Sequence, residues 1–208
     1  MGQDRHLIAD EAALRAVIGE PMEFVRAKVL SSLNEAMQEF IRQSPLIFLS
    51  TIDDAGNPDV SPKGDPAGFV EIASEGDLLI PERPGNRLTF GFENILDNGR
   101  IGLIFVVPNQ LETLRVKGRA SLHDTPDVLR QMEVHGKPAL LYTHVRVEEC
   151  FFHCGKALVR SHLWQPEKWA QEQRSIAARQ LMQPKPVDEE AIRQTEAALE
   201  RSYRDDLY

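Results

Sequence analysis

The stretch Leu46-Ile47-Phe48-Leu49-Ser50-Thr51-Ile52, followed by Asp53-Asp54-Ala55-Gly56-Asn57-Pro58, decides the fold class. The first part is short, apolar and rich in strand formers, which predicts a β-strand rather than a helix. The second part is dense in Asp, Gly, Asn and Pro, the residues that close tight turns. Asp59 to Lys63 then returns as the second strand of a hairpin.

More short strands follow. Phe69 to Ile72 and Asp77 to Ile80 pair across Ser74-Glu75-Gly76. The polar turn Pro81 to Arg87 leads into a helix over Leu88 to Leu96, closed by Asn98-Gly99. Arg100 to Val107 is an apolar strand. Its run Leu103 to Val107 has no alternation, which predicts burial on both faces, one toward the interior and one toward a partner subunit or a packed helix. Leu114 to Leu122 alternates, with Leu114, Val116, Gly118, Ala120 and Leu122 on one face. Thr125 caps a helix that carries Pro126 at its first position and runs to about His135. Leu140 to Phe152 is a strand, which Ala157 to Trp164 continues or follows.

Helices flank this region. Asp10 caps one that ends at Gly19, and Ser32 to Arg42 keeps helical spacing through Leu33, Ala36, Met37, Phe40 and Ile41. Glu167 to Leu181 and Asp188 to Tyr203 read as helices on either side of Pro184-Lys185-Pro186. The order is helices, many short strands with two interposed helices, then helices. That is an α+β, barrel-like pattern rather than alternating βαβ. It divides the chain into a helical extension over 1–43, a barrel domain over 44–164 and a second helical extension over 165–208.

A chain of 208 residues suits one domain with terminal additions. Its formal charge of −8, from 24 basic and 32 acidic side chains, argues against a general nucleic-acid or anionic-membrane binder, since both need a basic footprint. Met1 to Glu20 carries Asp4, Asp10, Glu11 and Glu20, so it reads as neither signal peptide nor membrane span, and the expected location is the cytoplasm. There is no dinucleotide-binding glycine fingerprint, P-loop, nucleophile elbow or His-Glu-x-x-His zinc motif.

Three features carry chemistry. Arg83-Pro84-Gly85-Asn86-Arg87 sets two guanidinium groups and an amide beside a helix start, which is either a phosphate cradle or a solvated basic turn. Ser61-Pro62-Lys63-Gly64 ends the second strand; its lysine reaches a ligand's polar edge or is an ordinary edge lysine. Cys150 to Lys156 holds Cys150, His153 and Cys154. Strand alternation would put both thiols on one side and His153 on the other, a poor start for a tetrahedral metal site, so core thiols are expected and no metal. Lys156 and Arg160 with Trp164 suit an anionic, aromatic ligand.

The run from Ser44 to Trp164 resembles the pyridoxamine 5′-phosphate oxidase-like flavoproteins, and within them an uncharacterised actinobacterial-type subgroup. The resemblance rests on Phe48-Leu49-Ser50-Thr51 with Gly56-Asn57-Pro58, on Ser61 to Asp65, on Ile80 to Arg87, on Asn94 to Gly102, on Glu112 to Ala120 and on Cys150 to Ala157. It implies an FMN-binding split β-barrel, a homodimer with FMN at two interface sites, and an oxidoreductase activity on an unknown substrate. Ser61, Pro62, Lys63 and Gly64 would line the isoalloxazine. Pro81 and Glu82 would accompany Arg83, Asn86 and Arg87 around the ribityl phosphate. His153, Lys156, Arg160 and Trp164 would come from the last strand, across the dimer. There are departures: Ser61 stands where vitamin B6 oxidases typically carry arginine, Leu88 stands where they carry lysine, and their C-terminal arginine–histidine signature is absent. FMN binding therefore carries over better than pyridoxamine phosphate oxidation. A deazaflavin, a haem, or a non-enzymatic flavin carrier or sensor are the alternatives.

Overall fold

The computed structural model describes residues 7–170, 180, 189–205 and 208. Seven strands form one antiparallel sheet in the order β2-β1-β5-β6-β7-β4-β3. They are β1 (Leu46–Ile52), β2 (Pro58–Gly64), β3 (Glu71–Ser74), β4 (Asp77–Glu82), β5 (Arg100–Val106), β6 (Thr113–His123) and β7 (Leu141–His153). With flanking helices this is the α+β split β-barrel.

The hairpin β1–β2 forms where the turn residues place it. Asp53 accepts from the Asn57 backbone N–H at 2.7 Å and from its side-chain amide at 2.8 Å, and Gly56 supplies the left-handed φ of 90°. Ile47, Leu49 and Thr51 turn inward and are buried, while Phe48 turns outward. β5 follows the same rule. Leu103 and Phe105 are buried, and Val106 is buried on the other face, but Ile104 on that face is 38% exposed, so the strand is buried on both faces only at its end rather than along its whole apolar run. Ile104 pairs with Phe48 across the ladder, and no described helix covers the two.

One core fills the inner face. Leu33, with Met37 and Ile41 of α3 (Glu35–Gln43), joins Leu49, Ile80, Phe105, Val116 and Val145 in it. Asn34 caps α3 by accepting from the Met37 N–H at 3.0 Å. The chain before α3 holds α1 (Glu11–Ile18), capped by Asp10, and a short α2 (Glu23–Ala27) that the sequence reading passed over. Leu30 then bridges to Cys150 through backbone bonds of 2.8 and 3.0 Å.

Between β4 and β5 lies α4 (Phe90–Asn98), ended by Gly99 at φ 66°. Between β6 and β7 lies α5 (Pro126–Gln131), shorter than expected; Thr125 makes no cap bond and shares its hydroxyl with Tyr142 at 3.2 Å instead. After β7 the chain turns into α6 (Lys156–Arg160), a helix where a strand continuation was one expectation. Pro166–Lys168 is a single 3₁₀ turn, and α7 (Glu189–Asp205) covers the last predicted helix. Most of Glu167 to Leu181 lies outside the described residues. Among the described residues, no helix is long and apolar enough to cross a membrane.

A register shift between Lys117 and Gly118 marks the long β6–β7 ladder. A Cβ at Gly118 would fall 1.9 Å from the Arg146 carbonyl oxygen, so backbone has to give way. Gly118→Ala should cost at least about 2 kcal/mol in urea unfolding. An unchanged midpoint would show that the ladder relaxes freely there.

Candidate active site at the split of the barrel

β2 is an edge strand, and β4 is next to last at the other end of the sheet order, inside the edge strand β3. They share no ladder. Side chains span the gap between them instead. Lys63 Nζ lies 2.7 Å from Glu82 Oε2, and Arg83 Nε lies 2.7 Å from Asp65 Oδ2. Glu82 closes β4 and Lys63 is the last residue but one of β2; Arg83 and Asp65 are the first residues beyond those two strands. Two successive rungs therefore cross the split.

A cavity of about 730 Å³ opens beside them, within the size range of small-molecule sites. Its wall includes Ser61, Pro62, Lys63 and Gly64 from β2, Pro81 and Glu82 from β4, and Arg83 and Asn86 from the loop after it. The start of α4 adds Phe90, Gly91 and Phe92, and the Phe92 ring lies 4.7 Å from the Lys63 ammonium.

The Glu82 side chain is only 5% exposed and also accepts from Thr143 Oγ1 at 3.3 Å. Burial pushes its pKa above the ordinary carboxylate value, against the opposing pull of Lys63 and Thr143. Arg83 is spent differently from what a phosphate cradle requires. Nε binds Asp65, Nη2 donates to the Met132 carbonyl at 2.8 Å, and Nη1 is buried without a partner. Asp65 Oδ1 is likewise buried and unpaired. The cavity's two cations thus each hold a carboxylate already, and Asp59 adds a third acid to the wall.

The other expected residues lie elsewhere. Arg87 is exposed, with φ 61°, and does not line the cavity; Asn86 fixes that turn by accepting from the Leu88 N–H at 2.9 Å. The α4 start falls at Phe90, beyond the arginine pair rather than within it. His153 ends β7, Lys156 and Arg160 are exposed on α6, and Trp164 Nε1 donates to the Gln110 carbonyl at 2.8 Å. Leu141, the partner of Glu82, starts that same 13-residue strand. The two groups of expected pocket residues thus lie toward opposite ends of β7.

Cys150 is a core thiol whose Sγ contacts the Ser32 carbonyl at 3.2 Å, and burial raises its pKa. Cys154 is not a core thiol: it falls just past the end of β7 and is exposed. Among the described residues, no group of three or more His, Cys, Asp or Glu is placed to hold a metal. Tyr208 also lines the cavity, and the sequence reading missed it. Burial, and then hydrogen bonding to the Asp65 side chain and its negative charge, raise its phenol pKa against the opposing pull of Arg83. No local motif marks a tyrosine whose neighbours are fixed only by the tertiary fold.

The family model described as pyridoxamine 5′-phosphate oxidase matches residues 33–154, more than half of the chain. The chain belongs to the pyridoxamine 5′-phosphate oxidase family. Residues 33–154 carry β1 to β7 and both cross-split ion pairs. Similar solved structures include HupZ from group A Streptococcus, 20% identical over 58% of this chain and 93% of that one, with a TM-score of 0.47. An FMN-binding protein from Syntrophomonas wolfei is 11% identical over 67% and 95%, with a TM-score of 0.44. An F420 reductase is 16% identical over 57% and 98%, with a TM-score of 0.43. No curated protein matches the chain.

The raised pKa of Glu82 has a signed consequence. Between its ordinary pKa and its raised one, the folded state holds the proton more tightly than the unfolded state. Stability from this group is therefore present at and below the ordinary value and falls as pH rises through that window. Glu82→Gln should flatten that part of the melting-temperature profile above pH 4.5. An identical slope in both proteins would mean that Glu82 does not titrate differently on folding.

Proposed function

We propose that this family member binds a flavin, FMN, in the cavity at the split and works as an FMN-dependent oxidoreductase. The observation that carries the reading is the ~730 Å³ cavity between β2 and β4, lined by aromatic, glycine and paired polar groups within the family-matched region. Bound flavin would supply the hydride or electron chemistry, and the protein would hold, tune and expose it. Ser61, Pro62 and Gly64 present backbone and small side chains to a flat ligand, and Lys63 brings positive charge held in place by Glu82. Unpaired Arg83 Nη1 and Asp65 Oδ1 are groups that a polar ligand could satisfy.

Phosphate recognition falls in this reading to Arg87 and Asn86 at the rim, since Arg83 is neutralised by Asp65. His153, Lys156, Arg160 and Trp164 would meet the ligand from a partner subunit, completing a site in a homodimer. The outward apolar side chains Phe48, Val60 and Ile104 support such an assembly. In this reading 44–164 is the flavin-binding unit, with 1–43 and 165–208 as helical flanks, and the exposed Cys154 thiol suits a reducing cytoplasm.

Titration of the purified protein tests this. Arg87→Ala should weaken FMN binding by about tenfold to a hundredfold, the worth of a charge-assisted phosphate contact of about 1.5–3 kcal/mol. Riboflavin should be little affected. Arg83→Ala should instead destabilise the fold by roughly 3–5 kcal/mol, because it strands the buried Asp65 charge. Equal losses for FMN and riboflavin at Arg87→Ala would reassign the phosphate. A visible spectrum separates flavin from a haem Soret band, and NAD(P)H-driven bleaching with reoxidation separates an enzyme from a carrier. Light scattering on dilution should show flavin content falling with the dimer; a monomer that keeps FMN would end the shared-site reading.

A further inference from the structure

Tyr208 reaches the cavity wall, and the fold has a seat for it. Val134 and Lys137 exchange both backbone hydrogen bonds at 3.0 Å around His135 and Gly136, whose φ values of 52° and 73° make a tight left-handed turn. That turn presents the His135 ring edge-to-face to Tyr208 at 5.2 Å between centroids. Lys137 Nζ donates to the Tyr208 backbone oxygen at 2.6 Å. The Arg83 guanidinium lies 5.9 Å from the centre of the same ring. Through the Arg83 bond to the Met132 carbonyl, the seat and the ion pair form one continuous cluster.

Behind that ring lies an unbalanced pair. Asp65 is 2% exposed and Arg83 13%, yet Arg83 Nη1 has no acceptor, and Asp65 Oδ1 has no bond of ordinary geometry, the Tyr208 phenol being the group that interacts with this carboxylate. Buried polar atoms are seldom left so, and these two belong to side chains already bonded to each other. Together they present one donor and one acceptor from a net-neutral unit. A phosphate dianion is a poor match, because Asp65 repels it. A planar edge carrying a carbonyl beside an N–H is complementary: the carbonyl oxygen accepts from Nη1 and the N–H donates to Oδ1.

We propose that Tyr208 is a displaceable cover, and that the Arg83–Asp65 pair is a subsite for a ligand edge of the cyclic-imide or primary-carboxamide type. The inference rests on the reading of this cavity as a ligand site. Two sources share this chemistry: the imide edge of a flavin ring and the carboxamide of a nicotinamide. Tyr208 keeps the pair out of water when the site is empty and leaves when a matching edge arrives.

The full chain, stripped of ligand, is titrated with lumiflavin and with 3-methyllumiflavin, which lacks the imide N–H. Nicotinamide mononucleotide and nicotinic acid mononucleotide form the second pair. Preference of about tenfold within the flavin pair assigns the subsite to the isoalloxazine; the same preference for the carboxamide assigns it to a nicotinamide. Tyr208→Ala should bind the preferred ligand several-fold faster and keep the preference. Asp65→Asn should lose it. Should Asp65→Asn fail to fold, the association rate of Tyr208→Ala decides. No preference in either pair, or unchanged association in Tyr208→Ala, overturns the proposal. FMN uptake alongside that result leaves the flavin reading standing; failure to take up FMN, lumiflavin or either nucleotide removes both.

Discussion

Two ion pairs hold the edge strand β2 against β4, the strand next to the sheet's other edge. Lys63–Glu82 and Asp65–Arg83, both at 2.7 Å, cross the split where no backbone ladder does. A sheet of this kind has two edges, and edges attract further strands unless something blunts them. Pro58 and Pro62 deny β2 two N–H donors, which fits it for the edge and nothing else. Side-chain contacts then do what backbone bonds cannot: they fix the separation of β2 and β4 while leaving a slot beside them. Buried ion pairs contribute little net stability against apolar replacements, but losing one partner is severe. What they give here is a defined opening rather than a tighter core.

How much of this was legible in the sequence follows the range of the interactions. β1 comes out at its predicted bounds, and the Asp53–Asn57 turn and the Asp10 and Gly99 caps work through neighbours a few residues away. β5 misled because the outward Ile104 is as apolar as the inward Leu103 and Phe105; period-two burial leaves no trace when both faces are hydrophobic. Cys154 misled because β7 ends one residue earlier, where Gly155 packs so tightly on Leu111 that a Cβ would sit 2.5 Å from its carbonyl oxygen. The β2 and β4 residues of the site were legible as motif fragments. That Arg83 already holds Asp65 was not, and neither was the Lys137–Tyr208 bond, which spans 71 positions.

The charge arrangement gives the site a logic that the basic loop alone does not. Lys63 and Arg83 each face a carboxylate, so the cavity offers local dipoles and hydrogen-bond edges rather than an excess of positive charge. Such a lining favours a flat, uncharged, polar ring. Cations with no carboxylate partner among the described residues stand outside it: Arg87 between the lining residues Asn86 and Leu88, and Lys156 with Arg160 beyond the far end of β7. A ligand with a neutral ring and an anionic tail would have its ring selected within one chain and its tail selected at the mouth. The two ends of β7 keep these groups apart: Leu141 at its start pairs with Glu82 in the cavity wall, and His153 at its end leads to the exposed Lys156 and Arg160.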